Sequence, residues 1–195
     1  RDVLQGLWDR VMNAAEAAAL GTGTELDYEI IHGNFNKLPN ATLSAIMHSK
    51  LTRVGGFTYN EKEKEFADKL RESLAGAEAL KGAESRVEPM QLEQGMGSTD
   101  VGDVSWMAPT TEMRAATWVP GTAPHSWQAI AGGATSIGMK GMLVAAKTLA
   151  LTAAELYQSP DALAAAREEF VERRGEDFEY TSLLGDREPP LDYRK

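Results

Sequence analysis

A short stretch of strict alternation constrains the fold of this chain most. Residues 25–30 place Leu, Tyr and Ile on one face and three carboxylates on the other, the pattern of a half-buried strand. An amphipathic helix over residues 4–15 precedes the strand, and Gly21 and Gly23 end that helix. Because a single strand needs neighbours, this helix and strand predict one piece of an α+β layer whose partner strands come from elsewhere.

Four further segments predict helices, and two short ones predict strands. One helix begins at the cap Asn40, and a second begins at Asn60 with Glu63 in a capping-box arrangement. A long alanine-rich helix over 136–157 suits close packing under a sheet, and a last helix over 159–174 begins at a Ser-Pro pair. Short β-like stretches are predicted at 101–106 and 113–119, and a loop at 76–97.

The composition excludes several classes of protein. The 195 residues carry a formal net charge of -9 without a Lys/Arg cluster, which argues against a nucleic-acid-binding surface. The absence of cysteine excludes disulfide scaffolds and thiolate metal sites and fits a cytoplasmic location. The longest weakly polar run, 141–156, contains Lys147 and two threonines, so we expect no membrane span. Because the chain begins with Arg1 instead of Met, we expect tag removal, proteolysis or truncation at this end.

His125 is the strongest candidate for a functional residue among three histidines. It follows a rigid Val-Pro-Gly-Thr-Ala-Pro turn that leaves a predicted strand, and strand ends on rigid loops are where α/β enzymes place ligands. A structural role for His125 remains the alternative. His48 lies on the polar side of its helix and His32 ends the first strand, so exposure or a structural role is expected for both.

A second polar cluster is the run GSTDVGDVSW at residues 97–106. Its hydroxyls, carboxylates and glycines suit a polar loop that faces a cleft, but an Asx or Ser/Thr turn explains them equally well. Asp100 and Asp103 could ligate a hard cation, although the spacing of a calcium loop is absent. The sequence contains no nucleophile elbow, phosphate-binding loop, dinucleotide fingerprint or zinc helix motif.

Three runs together resemble a known family: GSTDVGDVSW, ATWVPGTAPHSWQ and MKGMLVAAKTLA. They are similar to the C-terminal region of the aminobenzoyl-glutamate hydrolase-like amidohydrolases, within the aminoacylase/carboxypeptidase-type di-metal metallopeptidases. The runs DRVMNAAEAAALGTGTELDYEI and LPNATLS extend the resemblance over nearly the whole chain. The resemblance implies an α/β catalytic domain, with a mixed sheet packed by helices, interrupted by an α+β lid that dimerises. Residues 1–33 would then end the lid, 34–175 would belong to the catalytic domain, and 176–195 would form a tail.

The resemblance also implies a reaction. The family holds two divalent ions, zinc or manganese, and a metal-activated water cleaves the amide of an N-acyl amino acid such as p-aminobenzoyl-glutamate. His125 matches the last metal ligand in chain order. Ser98, Thr99 and Asp100 would line the substrate cleft, Asp100 as a loop-organising residue. The other ligands and the general base are expected upstream of this chain, so we expect the chain alone to be inactive.

The expected partners are the small-molecule substrate and either a second copy or a sister subunit, with no nucleic acid and no membrane. Two alternatives stay open. The chain could be a non-catalytic module for assembly or regulation that pairs with a sister subunit, with His125 a relic. It could also belong to a dipeptidase of the same family.

Overall fold

The computed structural model describes residues 2–92, 97–185, 188 and 191. Parts of the predicted loop at 76–97 and of the predicted tail at 176–195 therefore lie outside the described residues. All regular elements within them are helical. In chain order they are α1 (Asp2–Thr22), α2 (Ala41–Val54), α3 (Glu61–Arg71), the 3-10 turns Ala77–Leu80 and Ala83–Ser85, α4 (Val101–Met107), α5 (Trp127–Gly133), α6 (Ser136–Gln158) and α7 (Pro160–Arg174).

The predicted α/β fold, with its mixed sheet and its α+β lid fragment, is wrong for this chain. No strand occurs among the described residues, and 25–30 form no ladder with another segment. The alternating side chains Leu26 and Tyr28 are exposed instead of half-buried. A strand is stable only when a neighbour satisfies its backbone hydrogen bonds and covers one face, and the described residues supply no such neighbour.

The predicted strand at 101–106 is also wrong, because these residues form helix α4. Two contacts with the 34–38 segment explain the helix. The Ser105 hydroxyl oxygen accepts the Leu38 N–H at 2.8 Å, and Gly102 lies so close to the Phe35 carbonyl that a Cβ would overlap it. A helix brings residues three apart onto one face, so it presents both Gly102 and Ser105 to the same segment. Residues 113–119 form no strand either.

The chain divides into two compact units. The predicted domains 1–33, 34–175 and 176–195 stay a prediction. Unit 1 comprises Arg1–Leu38, Gln94–Ala108 and Arg174–Lys195. Its packing centres on an aromatic cluster formed by Phe35, Trp106, Phe178 and Tyr180, in which the Trp106 and Phe178 ring centroids are 4.7 Å apart.

Unit 2 comprises Pro39–Glu93 and Pro109–Arg173. Helix α6 packs against α2 and α5. A hydrophobic core lies between α3, α6 and the loop that precedes α5; its buried members are Tyr59, Ala67, Leu70, Val119 and Ile137.

Two asparagines begin helices α2 and α3 of unit 2, as the sequence predicts. The Asn40 side chain accepts the Leu43 N–H at 2.9 Å and caps α2. Asn60 accepts the Glu63 N–H at 3.0 Å, and a Glu63 carboxylate oxygen accepts the Asn60 N–H at 2.7 Å. The capping box of α3 is therefore confirmed. Each cap satisfies backbone groups that a helix end leaves without an internal partner.

Helix α6 has nearly the bounds that the sequence predicts, but the large apolar side chains on one side of it are not buried. Met139, Met142 and Leu143 are exposed, while Gly141 and Thr148 face the interior of unit 2. By length and composition alone α6 could cross a membrane, contrary to the expectation from its sequence, although core helices of soluble proteins pass the same test.

Candidate functional site

The loop that carries His125 is fixed at its first end by the core. Val119 is fully buried, and the Thr122 hydroxyl donates to the Val119 carbonyl at 2.7 Å. Gly121 has a φ of 95°, a conformation that favours glycine. A Cβ at Gly121 would lie 2.7 Å from the Ala77 Cβ, so the loop crosses the 3-10 turn closely. This end of the loop has little freedom to move.

Helix α5 fixes the second end of the loop. The Ser126 hydroxyl oxygen accepts the Ala129 N–H at 3.2 Å and so caps α5. The same hydroxyl donates to the Ala123 carbonyl at 2.7 Å. The side-chain amide of Gln128, in the first turn of α5, donates a hydrogen bond to the Ser73 hydroxyl oxygen at 3.3 Å. His125 therefore sits between two anchored points.

His125 itself is exposed and holds a left-handed backbone with a φ of 60°. It is the one non-glycine residue with positive φ within the described part of the chain. That conformation costs about 1–2 kcal/mol for an ordinary L-residue, although histidine adopts it more often than most. No hydrogen bond to another described residue occupies the imidazole, so both ring nitrogens are available. A strained residue on an anchored loop is a recognised sign of function.

The described residues do not form a complete metal site. No group of three or more His, Cys, Asp or Glu side chains among them could hold a metal ion, and catalytic zinc takes about three protein ligands. His125 fits the part of one ligand, because its imidazole is exposed and unengaged. The remaining ligands are absent from its described surroundings in unit 2. No step of a reaction can therefore be assigned to a metal held by the described residues alone.

Ser98, Thr99 and Asp100 all belong to unit 1, whereas His125 belongs to unit 2. The Ser98 hydroxyl oxygen accepts from the Asn34 amide at 3.3 Å. The Thr99 hydroxyl oxygen accepts the Val101 N–H at 3.3 Å, which is a local Ser/Thr turn. Asp100 precedes α4 but makes no side-chain cap bond. A role for these three residues in substrate binding stays a prediction.

Asp103, which the sequence suggested only as a cation ligand, organises the segment around residues 34–38. One Asp103 carboxylate oxygen accepts the Phe35 N–H at 3.2 Å, and the other accepts the Tyr180 hydroxyl at 2.9 Å. The hydrogen bond to Asp103, and then burial, raise the pKa of Tyr180. Trp106 adds a bond from its indole N–H to the Asn36 carbonyl at 2.7 Å.

The signal for Asp103 was present in the sequence as spacing. Asp103 and Trp106 stand three apart, which places them on neighbouring positions of one helical face. In a strand, residues three apart lie on opposite faces. The interpretation of this run as a strand therefore hides the fact that Asp103 and Trp106 both contact the 34–38 segment. Because the polar run at 97–106 is short, it fits the periodicity of a helix and that of a strand equally well.

Comparison with curated proteins identifies a component of a bacterial hydrolase as a homologue of this chain. That homologue is the B-subunit of p-aminobenzoyl-glutamate hydrolase from Escherichia coli (strain K12), which is 33% identical over 179 residues. The match covers 79% of this chain and 37% of the relative, so the chain spans little more than a third of that protein's length. No family model and no solved structure matches the chain. The resemblance to this hydrolase is confirmed.

Proposed function

We propose that this chain supplies part of a metal-dependent amidohydrolase that cleaves the amide bond of an N-acyl amino acid such as p-aminobenzoyl-glutamate. In the assembled enzyme His125 is one protein ligand of the divalent ions, zinc or manganese. The substrate class comes from the name of the homologous hydrolase. Bound divalent ions supply Lewis acidity and an acidified water for amide hydrolysis.

The observation that carries the role of His125 is its exposed, left-handed position on a loop anchored at both ends. Val119 and Thr122 hold the first end, and Ser126 holds the second. A ligand that is fixed before the ion binds loses little conformational entropy on binding. A neutral imidazole is a good ligand for zinc and for other transition metals. The loop therefore presents His125 in the manner that a metal site needs.

The described residues contribute to such a site but do not complete it. The described residues hold no group of three potential ligands, so the other ligands and the general base come from another polypeptide segment. Because the E. coli homologue is a subunit, a sister subunit is one source of that segment. We expect the isolated chain to be inactive on p-aminobenzoyl-glutamate.

The absence of a ligand group among the described residues also favours a second candidate, a non-catalytic assembly module. Two measurements separate the candidates. The first is calorimetric titration of the isolated chain with zinc or manganese salts. Weak binding, abolished by His125→Ala, is expected for a lone ligand; tight binding of two ions would show that this chain holds a complete site.

The second measurement is hydrolysis of p-aminobenzoyl-glutamate by the assembled enzyme that contains this chain, with released p-aminobenzoate followed by chromatography. His125→Ala is expected to reduce kcat/KM by at least about 100-fold, because the loss of one metal contact removes transition-state stabilisation. His48→Ala on α2 is the matched control and is expected to leave the rate unchanged. Full activity of His125→Ala would overturn the ligand assignment and favour the assembly module.

A further inference from the structure

The loop around His125 contains a tight turn in which histidine occupies an unusual position. The turn runs from Ala123 to Ser126, with Pro124 and His125 at its two central positions. The ring of Pro124 fixes its φ near about −65°, whereas His125 has a φ of 60°. A negative φ followed by a positive φ is the pattern of a type II turn, which favours glycine at the second central position. His125 therefore lies where glycine would cause no strain.

The Ser126 hydroxyl closes this turn and also begins helix α5. It donates a hydrogen bond to the Ala123 carbonyl at 2.7 Å, and its oxygen accepts the Ala129 N–H at 3.2 Å. A serine hydroxyl can make both bonds at once, because it has one donor proton and two lone pairs. The two bonds join the first residue of the turn to the first turn of α5. His125 lies between the residues that they join, so one hydroxyl restrains the backbone on both sides of it.

The backbone conformation of His125 decides where its imidazole points. The direction of the Cα–Cβ bond is fixed relative to the backbone, so a change of φ from positive to negative turns the side chain away from its present direction. Neither ring nitrogen forms a hydrogen bond with another residue in the described part of the chain, so no side-chain bond would hold the imidazole if the turn opened. Groups that bind a ligand must be held within about 0.5 Å of their working positions by the surrounding structure.

We propose that Ser126 is a positioning residue for the metal site. Its hydroxyl keeps the turn closed, and the closed turn keeps His125 in the left-handed conformation that directs the imidazole before a divalent ion binds. The proposal rests on the proposed function in one respect, that His125 is a metal ligand. The competing explanation is that the hydroxyl only caps α5, in which case its removal lowers stability without changing the affinity for the ion.

Thr135 provides a matched control, because it is a helix cap with the same two kinds of hydrogen bond. Its hydroxyl donates to the Gly132 carbonyl at 2.6 Å, and its oxygen accepts the Ile137 N–H at 3.2 Å at the start of α6. Thr135 and Ser126 are both partly buried. We expect Ser126→Ala and Thr135→Val each to lower Tm by roughly 2–4 °C. A difference between the two variants at His125 then comes from the turn and not from the loss of a cap.

The first measurement is nuclear magnetic resonance of the full 195-residue chain without metal. A residue with a positive φ gives a strong nuclear Overhauser effect between its own amide proton and Hα, because these protons lie closer together than at a negative φ. We expect this signal to be strong at His125 in the wild type, in Thr135→Val and in Ser126→Thr, which keeps a hydroxyl. In Ser126→Ala the signal is expected to fall to the level of residues with a negative φ.

The second measurement is the binding of zinc ions by the metal-free assembled enzyme that contains this chain, measured by competition with a chromophoric chelator. Ser126→Ala is expected to raise the Kd for zinc by about tenfold or more, which is the size of effect that groups orienting a metal ligand have. Ser126→Thr is expected to bind zinc like the wild type, because the hydroxyl is retained. Thr135→Val is expected to leave the Kd unchanged, because its cap lies outside the turn.

Each contrary result has its own meaning. A strong signal at His125 in Ser126→Ala would show that the hydroxyl does not hold the turn, and it would overturn the proposal. An unchanged zinc Kd in Ser126→Ala, or an equal rise in Thr135→Val, would overturn it in favour of a simple helix cap.

The positioning role and the proposed function fail in different ways. If His125→Ala weakens zinc binding and Ser126→Ala does not, the positioning role is refuted and the metal ligand stands. If His125→Ala binds zinc like the wild type, the metal ligand itself is refuted, and the positioning role is refuted with it.

Discussion

The Lys140 ammonium lies 2.5 Å from a Glu63 carboxylate oxygen and joins α6 to the first turn of α3. The Glu63 side chain is 5% exposed, and its carboxylate also accepts the Ser136 hydroxyl at 2.6 Å and the Asn60 N–H at 2.7 Å. One buried carboxylate therefore closes the capping box and links two helices. Buried charges are stable only when they are paired and hydrogen-bonded in this way.

Replacing Glu63 with Gln is expected to destabilise unit 2 by about 2 kcal/mol, because the Lys140 charge loses its partner while the N-cap bond is weakened. The corresponding fall in Tm is roughly 4–8 °C for a chain of this size. Glu61→Gln is the matched control. Glu61 is largely exposed and pairs with Lys64 on the surface, so a change below about 0.5 kcal/mol is expected. Thermal unfolding followed by circular dichroism measures both.

The same carboxylate predicts how stability changes with pH. Burial alone would raise the pKa of Glu63, but hydrogen bonds from Lys140, Ser136 and the Asn60 backbone outweigh it and hold the pKa below its ordinary value of 4.5. A lowered pKa in the folded state stabilises the protein above the unfolded pKa, and this contribution is lost as the pH falls through the folded pKa. We expect the difference in Tm between wild type and Glu63→Gln to shrink progressively as the pH falls below the ordinary pKa of 4.5. A difference that grows at acid pH would contradict this prediction.

Asn40→Ala is expected to cost about 2–3 kcal/mol. The Asn40 side chain is almost fully buried, accepts the Leu43 N–H at 2.9 Å and donates to the Ala166 carbonyl of α7 at 2.9 Å. Asn60→Ala, which removes a more exposed cap, is expected to cost about 1 kcal/mol. Urea unfolding measures both. Equal losses for the two variants would show that the link from Asn40 to α7 contributes nothing.

Gly102→Ala is expected to destabilise unit 1 by about 1–3 kcal/mol, because the new Cβ would overlap the Phe35 carbonyl oxygen. The displacement should also disturb the ring contact of Phe35 with Trp106, which is visible in near-ultraviolet circular dichroism. Gly97→Ala is the control, since nothing lies within 4 Å of the position of its Cβ. If the near-ultraviolet spectra of both variants matched the wild type, the close approach of Gly102 to Phe35 would be disproved.

His125→Gly separates the backbone of the loop from the imidazole. Glycine adopts a positive φ freely, so the Tm of the isolated chain is expected to stay within about 2 °C of the wild type, while assembled-enzyme activity falls as for His125→Ala. His125→Val is expected to cost about 1–2 kcal/mol, because a β-branched residue tolerates this conformation poorly. A large fall in Tm for His125→Gly would mean that the imidazole supports the fold.

The ends of several helices could be predicted from local chemistry. Asn40 and the Asn60–Glu63 pair cap α2 and α3 in the predicted places, and α7 begins at Pro160. Capping depends on side chains and backbone groups a few residues apart, so the information lies within a short stretch of sequence. The position of His125 on a turn could be predicted from the sequence for the same reason.

The strands could not be predicted reliably, because a strand depends on partners distant in sequence. Residues 25–30 carry the right alternation, yet no described neighbour pairs with them, and the contacts of Gly102 and Ser105 with the 34–38 segment select a helix at 101–106. The organising role of Asp103 was hidden for the same reason. Its partners Phe35 and Tyr180 are 68 and 77 residues away.

By itself the sequence determined the family resemblance, the helix caps and the position of α6 along the chain, because each depends on local order. Only the tertiary structure decided which side of α6 is buried. The periodicity of apolar residues identifies the apolar side of a helix but not what packs against it. In unit 2 the buried side of α6 contains Gly138 and Gly141 instead. The left-handed backbone at His125 was likewise set by the anchors on both sides of it, since a single residue adopts that conformation only when its surroundings impose it.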